Sequence, residues 1–155
     1  YKLWKDAPMN KLTTTNIHAT CVSVNKAGVL LLGKSGVGKS DLALRLIMNK
    51  GAVLVADDRT DVFVKNGKIF AAAPENIKGL LEVRGVGIVK MPTIESAEIK
   101  LAVELLTSLN DVERLPDSKE YQIMNNNVPM IKLYPFEASA PDKVVIKLKA
   151  VVDLL

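Results

Sequence analysis

LLLGKSGVGKSDLALRLI, residues 30–47, decides how this 155-residue chain folds. Its leading residues, with Val29, form an apolar run without alternation, as in a short strand covered on both faces. The next eight, Gly33-Lys34-Ser35-Gly36-Val37-Gly38-Lys39-Ser40, fit G-x-x-x-x-G-K-[ST]. In that pattern the glycines let successive backbone N–H groups turn inward and cradle phosphates. A helix predicted from Lys39 to Asn49 adds the positive end of its dipole. Leu42, Ala43, Leu46 and Ile47 give that helix an apolar face, and Gly51 can end it. Lys39 would then reach the β- and γ-phosphates and Ser40 would bind Mg²⁺. A glycine-rich turn before a helix can be merely structural. Here a buried strand precedes it and an amphipathic helix follows, the setting a nucleotide site requires.

Working outward, IHATCVSV (17–24) alternates and is β-branched, which predicts a strand. NKAG (25–28) reads as a turn. AVLVA (52–56) predicts a second buried strand, ending at Asp57-Asp58. Ligands of α/β sheets lie at the carboxyl ends of strands, so one of these carboxylates can stand beside the γ-phosphate and its metal. Adjacent strand residues point apart, so the two should differ in role, unless one only caps a turn. Asn66-Gly67 within DVFVKNGKIFA (61–71) predicts a tight hairpin. PENIKGLL (74–81) reads as a short helix, EVRGVGIVK (82–90) as a loop running into a strand, and NDVERLPDSKEY (110–121) as a polar loop. IKLAVELL (99–106) and VPMIKLYPF (128–136) predict strands. Residues 139–155 read as a closing helix, with Ser139 and Asp142 as a capping box and Lys143, Lys147 and Lys149 on a solvated face. Residues 1–16 read as an N-terminal arm. The whole, 1–155, is expected to be one α/β domain, with a central mixed sheet and flanking helices.

Composition narrows the function classes. The chain is 48% hydrophobic and 25% charged, with a formal net charge of +4. The lysines are scattered rather than striped with aromatics, which argues against nucleic acid. One cysteine, Cys21, excludes a disulfide framework or zinc spacing, reads as a small core residue, and suits a reducing cytoplasm. No apolar run approaches a membrane span and no signal peptide is visible. The chain begins at Tyr1 rather than Met, so further sequence is expected upstream.

GKSGVGKSDLAL, then VLVADDRTDV, then LEVRGVGIV resemble, in order and spacing, the motifs of the HPr kinase/phosphorylase family. The resemblance covers about residues 13–115 and is of the short kind that corresponds to the C-terminal kinase domain. It implies a P-loop core similar to phosphoenolpyruvate carboxykinase. It also implies ATP- and Mg²⁺-dependent phosphorylation of a serine on HPr, the phosphocarrier of the bacterial phosphotransferase system, and a reverse phosphorolysis that yields pyrophosphate. A hexamer is the family's assembly. His18 matches the family's active-site histidine, Lys39 the P-loop lysine, and Ser40 and Glu82 the metal ligands. Asp58 matches the group that takes the serine proton, with Asp57 beside it. Arg84 lies in the segment Leu81–Lys90, and Arg114, in VERLPD, matches an active-site arginine. Both could neutralise a transferring phosphoryl group.

Three departures stand out. Asp41 follows the P-loop serine where glutamate is usual, YPFEASAP (134–141) stands where the RPGRN tied to dephosphorylation is expected, and the reading is of a short form without the family's separate N-terminal domain; Pro116 also replaces a glycine beside Arg114. Two rival readings follow: a regulatory ATP-sensing module without turnover, and a P-loop kinase for another substrate.

Overall fold

A computed structural model describes residues 14–152. Strands β1 (Thr14–Val24) and β2 (Ala27–Leu32) form an antiparallel hairpin that leads into helix α1 (Lys39–Lys50). Then come β3 (Val53–Ala56), β4 (Arg59–Lys65), β5 (Lys68–Ala72), β6 (Leu80–Val83), β7 (Gly87–Lys90), β8 (Ala97–Leu105), β9 (Lys119–Ile123), β10 (Asn126–Leu133) and helix α2 (Ala140–Val152). Eight strands form one mixed sheet, and β6 and β7 form a separate two-stranded ribbon. The expected α/β architecture is present.

The sheet's pairings close on themselves. β1 pairs with β2 along Ala19–Val24 and with β4 along Thr14–His18, β4 pairs with β5, β5 with β8, and β8 with β2. β3 continues beside β1 where β4 leaves off, and β10 runs parallel to β8. Across the middle the order is therefore β3–β1–β2–β8–β10. Since β1 is antiparallel to β2 and to β3, the carboxyl ends of β2, β3, β8 and β10 share one edge. That edge is where an α/β sheet binds ligands.

Alternation sends side chains into two cores. Ala19, Cys21, Leu30, Val62 and Ala71 fill the inside of the closed strands. Val22, Val29, Leu31 and Val103 face the helices and meet Leu42, Leu46, Val144 and Leu148. In β8 the parity switches: Ala97, Ile99 and Ala102 belong to the first core, but Leu101, Val103 and Leu105 to the second. The cause is a bulge, in which Gly28 pairs with Ile99 and Val29 with Leu101, leaving Lys100 as the extra residue. One strand thus serves both cores.

Several local expectations need correction. Residues 14–16 of the predicted arm already pair with residues 61–63 as the start of β1; residues 1–13 lie outside the described residues, as do 153–155 of the closing helix. PENIKGLL holds only a 3-10 turn at Glu75–Ile77, and Leu80 and Leu81 begin β6. EVRGVGIVK is a hairpin rather than a loop and a strand, its turn closed by the Val86 N–H on the Val83 carbonyl at 2.9 Å. Lys119 to Tyr121 of the polar loop pair with Val128–Met130 in β9. Asp142 does not complete a capping box with Ser139 but meets Lys50 of α1, tying the two helices together. Lys143 bonds Glu137 at 2.9 Å, and the three lysines of α2 are half-buried. Among the described residues no helix is long and apolar enough to cross a membrane. The Asn66-Gly67 turn matches its expectation, with positive φ at both residues.

Cys21 is fully buried between β2 and β3 pairings, and that burial raises its thiol from 9.0 to about 12. A raised native value gives a stability contribution that is complete below pH 9 and is lost as pH climbs towards 12, because the unfolded thiol ionises first. Between pH 8 and 10.5, Cys21→Ala should therefore lose less stability than the parent, by about 2 kcal/mol. Urea midpoints of both proteins at the two pH values test this; parallel losses would contradict it.

Candidate active site

The edge described above carries a cleft of about 520 Å³, lined by Ser35, Gly36, Gly38, Lys39, Ser40, Asp41, Asp57, Asp58, Glu82, Arg84 and Phe136 among others, whereas Val37 of the same loop turns into the core instead. The loop 33–38 emerges from β2 and delivers the chain to α1. Gly33 is packed so closely that a Cβ would lie 2.8 Å from Val37 Cγ1 and 3.2 Å from the Leu105 carbonyl oxygen. Gly38, the residue before the helix, takes φ 116° and offers no side-chain cap. The helix's first N–H groups therefore face the loop rather than a capping side chain, as an anion site requires. Lys39 Nζ donates to the carbonyls of Gly33 at 2.7 Å and Lys34 at 3.0 Å, holding the loop in a ring. Burial lowers the pKa of Lys39, and Asp58 and Asp57 oppose that shift by charge.

The acids come from the turn after β3. Asp57 is buried, and its carboxylate gathers three elements. Oδ1 accepts the Ser40 hydroxyl from α1 at 2.7 Å and the Thr20 hydroxyl from β1 at 3.1 Å, while Oδ2 accepts the Glu82 N–H from β6 at 3.0 Å. Asp58 turns the other way. Its φ is 67°, in a tight turn closed by the Arg59 N–H on the Asp57 carbonyl at 2.7 Å. Its N–H donates to Thr20 Oγ1 at 3.1 Å, and its exposed carboxylate lies 2.9 Å from His18 Nε2. The two aspartates thus differ in surroundings as alternation suggests: Asp57 is tied inward and Asp58 faces the cleft.

The ribbon β6–β7 is anchored at its base by the Met91 N–H on the Gly79 carbonyl at 2.8 Å and at its middle by Asp57. It brings Glu82 and Arg84 to the cleft. Arg114 is not brought there: it is exposed in the segment between β8 and β9, outside the lining. Leu44, which lines the cleft, escaped the sequence reading, as did Thr20 and Phe136. Thr20 lies two residues from His18 on the same strand face, so period-2 spacing from His18 would have found it. Phe136 follows β10 at the ligand-binding edge, a position that strand order alone would have flagged.

Among the described residues two cations, Lys39 and Arg84, line the cleft against four carboxylates, Asp41, Asp57, Asp58 and Glu82. A polyphosphate entering alone would meet excess negative charge. A divalent cation resolves this, and the donor set suits Mg²⁺: hard oxygens from one hydroxyl and one or two carboxylates, the rest left to phosphate and water. Ser40 and Asp57 already converge at 2.7 Å, and Glu82 lines the same cleft.

The family model of the HPr serine kinase C-terminal domain matches residues 10–152. An HPr kinase/phosphorylase of Brevibacillus brevis is 36% identical over 129 residues, covering 76% of this chain and 41% of its own length. That of Streptococcus thermophilus (strain ATCC BAA-491 / LMD-9) is 35% identical over 147 residues, covering 88% and 47%. This chain thus spans less than half the length of these relatives. The solved HPr(Ser) kinase/phosphatase of Coxiella burnetii superposes with a TM-score of 0.75 at 25% identity, over 88% of each chain. The chain belongs to the HPr serine kinase C-terminal domain family.

Removing the Asp57 carboxylate leaves the Thr20 and Ser40 hydroxyls and the Glu82 N–H without their acceptor. Asp57→Ala should cost about 1–3 kcal/mol. It should also speed amide exchange at Glu82 while leaving Met91, at the ribbon's base, protected. Unchanged exchange at Glu82 would contradict the tie.

Proposed function

We propose that this chain binds Mg²⁺–ATP on residues 33–40 and transfers the γ-phosphoryl group to a serine hydroxyl of HPr. The observation that carries this reading is the pairing of His18 with Asp58, whose exposed carboxylate lines the same cleft as Lys39. In this reading the loop's N–H groups and Lys39 hold the phosphates. Ser40, Asp57 and Glu82 are the residues that would hold Mg²⁺, which when bound neutralises phosphate charge. The incoming serine oxygen forms its bond to phosphorus as the bond to the ADP oxygen breaks. Its proton passes to Asp58, and Arg84 offsets charge on the phosphoryl oxygens. His18 holds the Asp58 carboxylate in place, so the base is aimed before substrate arrives. The relatives' names pair kinase with phosphorylase. We assign the reverse step, in which inorganic phosphate attacks the phosphoserine and leaves as pyrophosphate, to the same groups, with Asp58 returning the proton.

One observation favours a second reading, ATP sensing without turnover: Arg114 lies outside the cleft, leaving Arg84 as the arginine in its lining among the described residues. The kinase reading proposed above is that of a cytoplasmic enzyme acting as a homo-oligomer.

ATP labelled on its γ-phosphate should label HPr, but not HPr lacking its acceptor serine, and added inorganic phosphate should release the label as pyrophosphate. Asp58→Ala should reduce transfer by roughly 100-fold or more with nucleotide binding retained, and Lys39→Ala should lose both. Transfer by Asp58→Ala at the parent rate would overturn the mechanism. ATP binding without any labelled HPr would favour sensing.

A further inference from the structure

We propose that Phe136 is the platform on which the base of the bound nucleotide stacks, an inference that rests on the phosphate-loop reading above. The residue belongs to YPFEASAP, the segment that departs from the family's usual sequence. Four observations place it. Phe136 lines the same cleft as the phosphate loop. It is 55% exposed although it is large and apolar, so much of the side chain is open to a ligand. It lies against Gly38, where a Cβ would come within 2.8 Å of its Cζ. It is also held: Tyr134 packs edge-on at 5.7 Å between centroids, and the Arg45 guanidinium donates to the carbonyls of Pro135 and Glu137 on either side.

Strand order supplies the direction. The phosphate loop follows β2, the acids follow β3 on one flank, and Phe136 follows β10 on the other. A nucleotide whose terminal phosphate faces Asp58 runs along the loop with its other end towards Phe136. That end is a flat aromatic base, and stacking on a fixed, half-exposed ring is the interaction Phe136 can offer it. Arg45 fixes the backbone of this segment from α1 and also bonds Asp41 at 3.0 Å, so the platform and the phosphate loop are mounted on one helix. Stacking of this kind tolerates any purine and disfavours ligands that carry no base.

The test compares a ligand with a base to one without. Calorimetry with Mg²⁺ and a non-hydrolysable ATP analogue, and separately with tripolyphosphate, should be run on the parent, Phe136→Ala and Phe136→Tyr. Phe136→Ala should bind the analogue about 10-fold more weakly, leave tripolyphosphate within twofold, and regain affinity as Phe136→Tyr. With Trp4 replaced by phenylalanine, Phe136→Trp should be quenched by the analogue and not by tripolyphosphate. Equal losses for both ligands would make Phe136 a prop for the loop and overturn the proposal, as would no loss for either. A parent that binds neither ligand would overturn the phosphate-loop reading itself, and the platform with it.

Discussion

The site depends on one buried carboxylate. Asp57 receives hydroxyl groups from β1 and α1 and an N–H from β6, so a single side chain fixes the positions of the phosphate-loop helix, the central hairpin and the ribbon. A buried carboxylate is costly unless its lone pairs are met, and here three donors meet them. The arrangement also sets the register of the neighbouring residue. With Asp57 tied inward, Asp58 is forced through a left-handed turn, and its carboxylate emerges beside His18. Strain at Asp58 is held in place by its own N–H bond to Thr20, the same threonine whose hydroxyl serves Asp57. Thr20 thereby couples the two acids through one oxygen.

The closed set of strands explains how such small elements stay in place. β1 is long enough to pair with β4 over its first half and with β3 over its second, so the acid turn between β3 and β4 straddles one continuous strand. His18 and Thr20 sit on that strand where its partner changes. The bulge at Lys100 lets β8 fill both cores, so the phosphate loop rests on a layer packed from above and below. Leu31 and Val103 support the loop's base from the helix side, and Leu30 and Ala102 fill the side beneath.

Much of this was legible in the sequence because its signals are local. An apolar run, a glycine-rich loop and a helical stripe are contiguous, so strand β2, the loop and α1 could be read directly, as could the Asn66-Gly67 hairpin. What was not legible depends on distant partners. Residues 14–16 look polar and mixed, but their strand exists because β4 pairs with them. EVRGVGIVK carries too few apolar residues to announce a hairpin, and it is held by Asp57 and by Gly79. Asp142 looked like a cap and is drawn instead to Lys50 on the other helix. In the cleft, residue types with obvious chemistry were found, whereas Thr20 and Phe136 matter through place alone. Arg114 was named from the resemblance, and its exposed position outside the cleft is a fact only the three-dimensional chain could give.

The cleft is polarised along its length, and this constrains the ligand more than any single contact does. Its acid flank gathers carboxylates in excess of cations, which a bare polyanion would not enter, yet a phosphate cradle lies in the middle. The two facts are compatible if charge arrives already balanced by a divalent cation. The opposite flank presents an aromatic ring, Phe136, on a turn held by Tyr134 and by the Arg45 guanidinium. A molecule that is anionic and metal-bearing at one end and flat and apolar at the other satisfies both flanks at once. Inorganic polyphosphate would satisfy only the first, and an aromatic metabolite without phosphate only the second.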